Sequence, residues 1–298
     1  MKKLIGCILL LATLTAPAQK TDKHLQNEIS YLLKDFNGEV GVYVYDILKN
    51  KKVTVNADTI FPTASMVKIP ILIGIMHKIN NGELNYHQVM TYTDSLFYAE
   101  GDDILASFKS AEKIELSKLL MLMMSTSDNT ASLWLQGLAG GGTVINKYLD
   151  SLGMKNTRVN SRTEGRKGAW QQYGWGQTTP KEMATLMKLI IDNKIINKQI
   201  SERMLRLMSR QYWDEEAISQ IPPNIFVADK NGAVDASRSE VMYVNGAHPY
   251  IFCICTKNNK DQSWNLDNEA WTLTRKLSAL LFKHFNPKSN WQPDGFLK

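Results

Sequence analysis

The stretch Phe61-Pro62-Thr63-Ala64-Ser65-Met66-Val67-Lys68-Ile69-Pro70 holds the decisive spacing of this chain, a serine followed three residues later by a lysine. On a helix that spacing puts hydroxyl and ammonium on one face. Residues 66–79 are apolar almost all round, the pattern of a helix buried on every side. A lysine there loses solvation, which favours its neutral form and makes it a usable base for the serine. The helix N-terminus adds favourable potential for a developing oxyanion. The same spacing recurs at Ser110-Ala111-Glu112-Lys113, but on a polar segment with no buried helix behind it, and is read as chance.

Outward from this helix, the chain divides into strands at both ends and helices between. Residues 21–36 have helical periodicity through Leu25, Ile29, Leu32, Leu33 and Phe36, with Gly38 as a stop. Residues 39–47 and 52–55 alternate as two strands around a turn at Lys49-Asn50-Lys51. Further helices are expected over 114–124, over 130–138 with Gly140-Gly141-Gly142 as its end, and over 180–191 behind a threonine cap and Pro180. The span 158–177 is polar and aperiodic, and a loop that long is usually functional. Strands return over 225–228, 241–244 and 250–256, with Asn245-Gly246 as a hairpin turn, before a last helix over 266–285. The simplest packing joins both chain ends into one antiparallel sheet with flanking helices and inserts a helical lobe, an α/β plus all-α architecture with the active site in the cleft between lobes. The α/β lobe takes in about residues 22–60 and 215–298, the helical lobe about 65–210.

Bulk properties narrow the function classes. The chain has 298 residues, enough for one large two-lobed domain. With 44% hydrophobic and 21% charged residues, neither disorder nor a fibre is expected. Lys2 and Lys3, the apolar run 4–14 and Ala16-Pro17-Ala18 read as a secretory signal peptide over residues 1–18, so an exported, periplasmic or secreted protein is expected. Leu4-Ile5-Gly6-Cys7 resembles a lipobox, the rival reading, though most of the apolar run lies after Cys7. Loss of the two lysines lowers the formal charge from +6 to +4. The remaining basic residues are scattered and accompany no nucleic-acid motif, so no nucleic-acid partner is expected, nor a membrane one after cleavage. Cys253 and Cys255 lie on one face of an apolar strand and read as small hydrophobes. The histidines at 24, 77, 87, 248 and 284 match no metal-ligand spacing, and none adjoins an obvious nucleophile motif. No metal or cofactor is implied, and a monomer is expected.

Two further short motifs follow in order. Ser127-Asp128-Asn129 lies between two helices, where all three residues are good caps. Asp128 is read as structural, while Ser127 and Asn129 are free to face a cleft. Lys230-Asn231-Gly232 ends a strand and offers a cleft wall a charge and backbone N–H groups, or is a plain turn. Each motif alone is weak, but Ser-x-x-Lys, then Ser-Asp-Asn, then Lys-x-Gly on a returning strand resembles the class A β-lactamases and related penicillin-recognising serine enzymes. The likeness extends to Phe61-Pro62, to Thr130-Ala131, to 149–153 ahead of Thr157-Arg158, and to Thr178-Thr179-Pro180 with Met183, covering about residues 22–285. It implies the two-lobed fold already described. It also implies a β-lactam or peptide-like small-molecule substrate and an acyl-enzyme on Ser65, with Lys68 as its base or proton shuttle. By the same resemblance Ser127 protonates the leaving nitrogen, Lys230 supports Ser127 and the substrate carboxylate, Asn129 binds the acyl amide, and the backbone N–H groups of Ser65 and Ala233, beside Gly232, form the oxyanion hole.

The pattern departs from that family in two places. Arg162-Thr163-Glu164 puts a glutamate where the family carries its deacylating base, yet Gly165, Arg166, Lys167 and Gly168 follow, without the asparagine that helps hold the water. Glu164 is therefore either that base or a solvated loop ion pair. At the third motif Asn231 replaces the family's hydroxyl, and Arg238 is the candidate for a compensating carboxylate contact, or else a partner for Glu240.

Overall fold

The computed structural model describes residues 19–98 and 103–293; the expected signal peptide and Cys7 lie outside them. Six strands form one sheet: β1 (Lys20–Thr21), β2 (Glu39–Asp46), β3 (Lys51–Val55), β4 (Phe226–Val234), β5 (Ser237–Asn245) and β6 (Tyr250–Lys257). Their order is β1-β3-β2-β6-β5-β4, so β6 from the end of the chain pairs with β2 from its start. All pairs are antiparallel except the two-residue β1, which runs parallel to β3. Described helices are α1 (Lys23–Leu33), α2 (Lys68–Asn80), α3 (Leu116–Met121), α4 (Asn129–Leu138), α5 (Gly141–Ser151), α6 (Lys167–Tyr173), α7 (Pro180–Ile191), α8 (Lys198–Leu207) and α9 (Glu269–Phe285). None is long and apolar enough to cross a membrane.

Alternation along the strands explains why both sheet faces are covered. Val40, Val42 and Val44 of β2, with Tyr250, Phe252 and Ile254 of β6, pack under α1 and α9. Their neighbours Tyr43, Tyr45, Ile251, Cys253 and Cys255 face the helical lobe. The two cysteines are buried and free, their sulfurs 3.7 Å apart. Helix α2 is the axis of that lobe, buried without interruption from Lys68 to Met76.

Several boundaries move. Ser65 sits on a 3₁₀ turn, Ala64–Val67, and α2 begins at Lys68. The helix expected over 114–124 is a short strand (Lys113–Glu115), then α3, then a π-helical turn (Leu122–Thr126). Gly140 and Gly141 do more than stop α4: both adopt positive φ, and α5 starts at Gly141 itself, with Gly140 as its cap. The span read as a loop contains α6 and the strand Gly176–Thr178. That strand pairs with Phe61–Pro62 and Arg158–Val159, so the approach to Ser65 and this segment are bonded together.

Gly41 of β2 lets that approach lie close to the sheet. A Cβ there would meet Phe61 Cε2 at 2.6 Å and Pro180 Cγ at 2.9 Å. Gly41→Ala should therefore destabilise the protein by about 1–3 kcal/mol in denaturant unfolding. Gly137→Ala, on the exposed face of α4 with open space around it, should stabilise by about 0.4–1 kcal/mol.

Candidate active site

Three elements converge on one nitrogen. Lys68, at the first turn of α2, is fully buried, and its Nζ lies 2.9 Å from Ser65 Oγ and 2.9 Å from Ser127 Oγ. It also donates to the Ser127 carbonyl at 2.6 Å and to Asn129 Oδ1 at 2.8 Å. Burial pushes the Lys68 ammonium well below the ordinary lysine value, and the positive charge of Lys230 pushes the same way. Of the four oxygens around this nitrogen, the carbonyl of Ser127 and Oδ1 of Asn129 can only accept, while the two hydroxyls can donate to a neutral amine or accept from an ammonium, so both protonation states can be satisfied in place. The arrangement can take a proton from Ser65 and return it through Ser127.

The local backbone is bent to make this meeting possible. Ala64, just before Ser65, has φ 43°, and Ser127 has φ 60°, ψ 30°, both left-handed conformations costly for non-glycine residues. In Ser127 this turns the carbonyl toward Lys68. Asp128 then caps α4, accepting from Ala131 N at 2.7 Å and also from Leu105 N at 3.0 Å, which is the structural role its sequence suggests. Asp103, for which the sequence carried no signal, braces the same turn: it accepts from Asn129 N at 2.8 Å and from Thr130 N at 2.7 Å.

Strand β4 forms the opposite wall. Lys230 is buried and donates to Gln211 Oε1 at 2.9 Å and to the carbonyl and Oδ1 of Asn231 at 3.0 and 3.1 Å. Burial lowers its ammonium, against the attraction of Asp229, Glu240 and Glu216. No hydrogen bond joins Lys230 to Ser127, so its influence on that hydroxyl is through charge. Gly232 lies against the Ser65 turn: a Cβ on it would stand 2.6 Å from Ser65 N and from the Thr63 carbonyl oxygen. Ala233 follows on the wall of a cavity of about 680 Å³ that also holds Ser65, Asn129 and Trp175. A second cavity of about 480 Å³ meets the first at Ser65 and includes Ser127, Asn231 and Trp213.

Two expected residues are not brought to this cleft. Glu164 is exposed, lines neither cavity, and has no hydrogen-bonding or ionic partner among the described residues. Arg166 turns from it to Asn160 Oδ1 at 2.8 Å and Gln177 Oε1 at 2.7 Å. The segment instead presents Gln172, Tyr173 and Gly174 to the cavity, at the end of the helix that its polar sequence concealed. Arg238 is buried in the sheet end. Its guanidinium donates to the carbonyls of Val234, Ser237 and Ser263 and lies 4.5 and 4.7 Å from the rings of Trp264 and Trp271. It reaches neither the cleft nor Glu240. Asn231 lines the second cavity, but its Nδ2 donates to Glu216 Oε2 at 3.2 Å. Gln211 and Glu216, absent from the sequence reading, lie in the stretch before β4, which has no periodicity to mark them.

Comparison with known proteins finds matching relatives. The model of the beta-lactamase enzyme family matches residues 23–285. Beta-lactamase VEB-1 of Pseudomonas aeruginosa is 25% identical over 236 residues, 77% of this chain and 78% of that protein. A form of PBP-A solved as its acyl-enzyme complex with penicillin G superposes with a TM-score of 0.80 at 22% identity, over 91% of this chain and all of that one. A class A beta-lactamase from Bacteroides cellulosilyticus gives 0.79 at 19% identity over the same shares.

The contact at Gly232 is testable. Gly232→Ala should force β4 away from the Ser65 turn, because both close atoms are backbone. Labelling of the protein by a fluorescent penicillin should slow more than tenfold, while Gly168→Ala, which enters open space on α6, should leave the rate unchanged.

Proposed function

The chain belongs to the beta-lactamase enzyme family, and from that premise we propose that it is a serine hydrolase that opens β-lactam amides through an acyl-enzyme on Ser65. The observation that carries this reading is the single buried amine of Lys68 within hydrogen-bonding distance of both Ser65 Oγ and Ser127 Oγ. Neutral Lys68 takes the Ser65 proton as Oγ attacks the lactam carbonyl. The backbone N–H groups of Ser65 and Ala233 hold the oxyanion. The C–N bond breaks as Ser127 gives its proton to the leaving nitrogen and takes the one held by Lys68. The products are a Ser65 ester, an amine and a neutral lysine. Asn129, whose Oδ1 serves Lys68, offers its amide N–H₂ toward the acyl side chain. Lys230 keeps Lys68 low in basicity by its charge. We further propose that the basic, apolar and small-residue run of residues 1–18 acts as an export signal, so that the reaction takes place in the periplasm or outside the cell.

Release of the ester needs a base for water. Glu164 points to solvent, so the base in reach is Lys68, regenerated neutral after ring opening. An amine already bonded to two carbonyl-type oxygens and facing Ser65 is a poorer water base than a dedicated carboxylate, and deacylation should be the slow step. This favours a second reading beside the first: an acyl-transfer enzyme of the same family that acts on peptide-like amides and turns lactams over poorly.

A chromogenic lactam assay run beside intact-mass spectrometry separates the two. A burst followed by slow steady turnover, with the lactam adduct dominating the mass spectrum, is expected. Turnover without an accumulated adduct would mean efficient hydrolysis, and an adduct that never clears would favour the transfer reading. Glu164→Gln should change the deacylation rate less than about threefold, as for an exposed group. A fall of about 10²–10⁴-fold, the size of a lost general base, would show that the loop carries Glu164 into the site. Ser127→Ala should lower kcat with little change in KM, because a proton relay acts in the transition state.

A further inference from the structure

Helices from the two ends of the chain meet on the face of the sheet opposite the helical lobe. Helix α1 buries Leu25, Ile29 and Leu33 there, and α9 buries Leu281, Phe282 and Phe285 in the same cluster. His24 and Glu28 each precede a buried residue by one position and are four residues apart, so they share one flank of α1 beside that contact. His284 stands in the last turn of α9, next to the buried Phe285. Folding gathers the three side chains: one ligating atom from each lies within 4.8 Å of the other two. The histidines match no metal-ligand spacing in the sequence because these ligands come from opposite ends of the chain, and only the packing of α1 on α9 makes them a set.

The set has the chemistry for a transition-metal ion. Two imidazoles and a carboxylate suit zinc, and imidazole favours zinc, copper and nickel over magnesium or calcium. His24 Nδ1 and Glu28 Oε2 are 3.1 Å apart. Bonds of about 2.0–2.2 Å in tetrahedral geometry put neighbouring ligand atoms roughly 3.3–3.5 Å apart, so an ion can replace the proton this pair shares with little movement. Both residues are exposed, and a change of rotamer can close the remaining distance to His284. His284 is half-buried with its ring edge-on to Phe285, and among the described residues no hydrogen bond occupies either of its nitrogens. The surrounding field is mixed: Asp22 and Glu28 attract a cation, Lys49 opposes it, and Asp22 is partly taken up by Lys51 at 3.4 Å. The neutralising charge therefore comes from Glu28 as a ligand. We infer that His24, Glu28 and His284 form a site for a divalent transition-metal ion of the zinc type, which clasps the first helix to the last. Three protein ligands leave a fourth position to water, so the ion is exchangeable and reinforces a contact that already exists. The site is remote from Ser65, and the inference does not depend on the reaction proposed there.

Calorimetric titration of the untagged protein with zinc chloride, at neutral pH in a buffer that does not chelate, measures the site directly. One ion should bind per chain. His24→Ala and His284→Gln should each weaken binding at least tenfold, since loss of a ligand costs no less than loss of a residue that merely orients one. Magnesium, which prefers a shell of oxygens, should bind at least tenfold more weakly than zinc. Thermal unfolding gives a second readout. With zinc at about a hundredfold its Kd, the wild-type Tm should rise by about 4–8 °C and return when EDTA is added. Each variant at the same zinc concentration should rise by no more than about half as much. No binding, binding that both variants leave unchanged, magnesium binding equal to zinc, or a Tm that zinc lowers would overturn the inference. His24 is exposed, so His24→Ala keeps the comparison intact even if the His284 variant is unstable. None of these readouts requires acylation, so a failure at Ser65 and a failure here are told apart.

Discussion

A single buried amine organises this molecule. Lys68 is fully buried, so a charge on its nitrogen must be satisfied by protein oxygens, and the fold supplies four of them. Those oxygens come from the Ser65 turn and from the Ser127–Asn129 turn, some sixty residues on. Bringing them together requires α2 and α4 to pack, Ala64 and Ser127 to accept left-handed backbone, and Asp103 and Asp128 to tie the turn down. Strand β4 then needs a glycine at 232 to close the site. Removal of any of these leaves a buried amine with the wrong partners, which costs more than the contact itself.

The same constraint explains which parts of the site could be read in the sequence. Ser65 and Lys68 are three residues apart on one helical turn, and Ser127 and Asn129 belong to one capping segment, so local spacing carries their geometry. The two-ended sheet was legible because its strands alternate or run apolar at both ends of the chain. Glu164 and Arg238 were not, because the orientation of a loop or strand side chain is set by distant partners. Arg166 is held by Asn160 and Gln177, leaving Glu164 outside, and Arg238 is drawn between two tryptophans. Glu216 sits in a segment without periodicity, and its meeting with Asn231 is a matter of tertiary packing. Helix α5 was hidden because three consecutive glycines read as an end, although two of them in positive φ also turn the chain into a new helix.

The two departures from the family pattern point in one direction. The segment over 158–178 delivers α6 and Gln172 to the cavity rather than a carboxylate. The wall opposite has Asn231 where the family prefers a hydroxyl, and its Nδ2 is given to Glu216. On the proposed reading, ester formation depends on the Lys68 cluster, where Ser65, Ser127 and Asn129 all reach one nitrogen, and ester release depends on the two walls that depart from the family pattern.

The account depends most on Lys68 being neutral when Ser65 reacts, and the pH dependence of the acylation rate measures this directly. Second-order acylation by a penicillin, followed by stopped-flow across pH, should fall on the acid side as Lys68 gains its proton. Because the amine is held well below the ordinary lysine value of 10.5, the inflection should lie well below that value and acylation should persist at neutral pH. A rate that keeps rising about tenfold per pH unit up to about 10, the behaviour of an unperturbed lysine, would contradict the account.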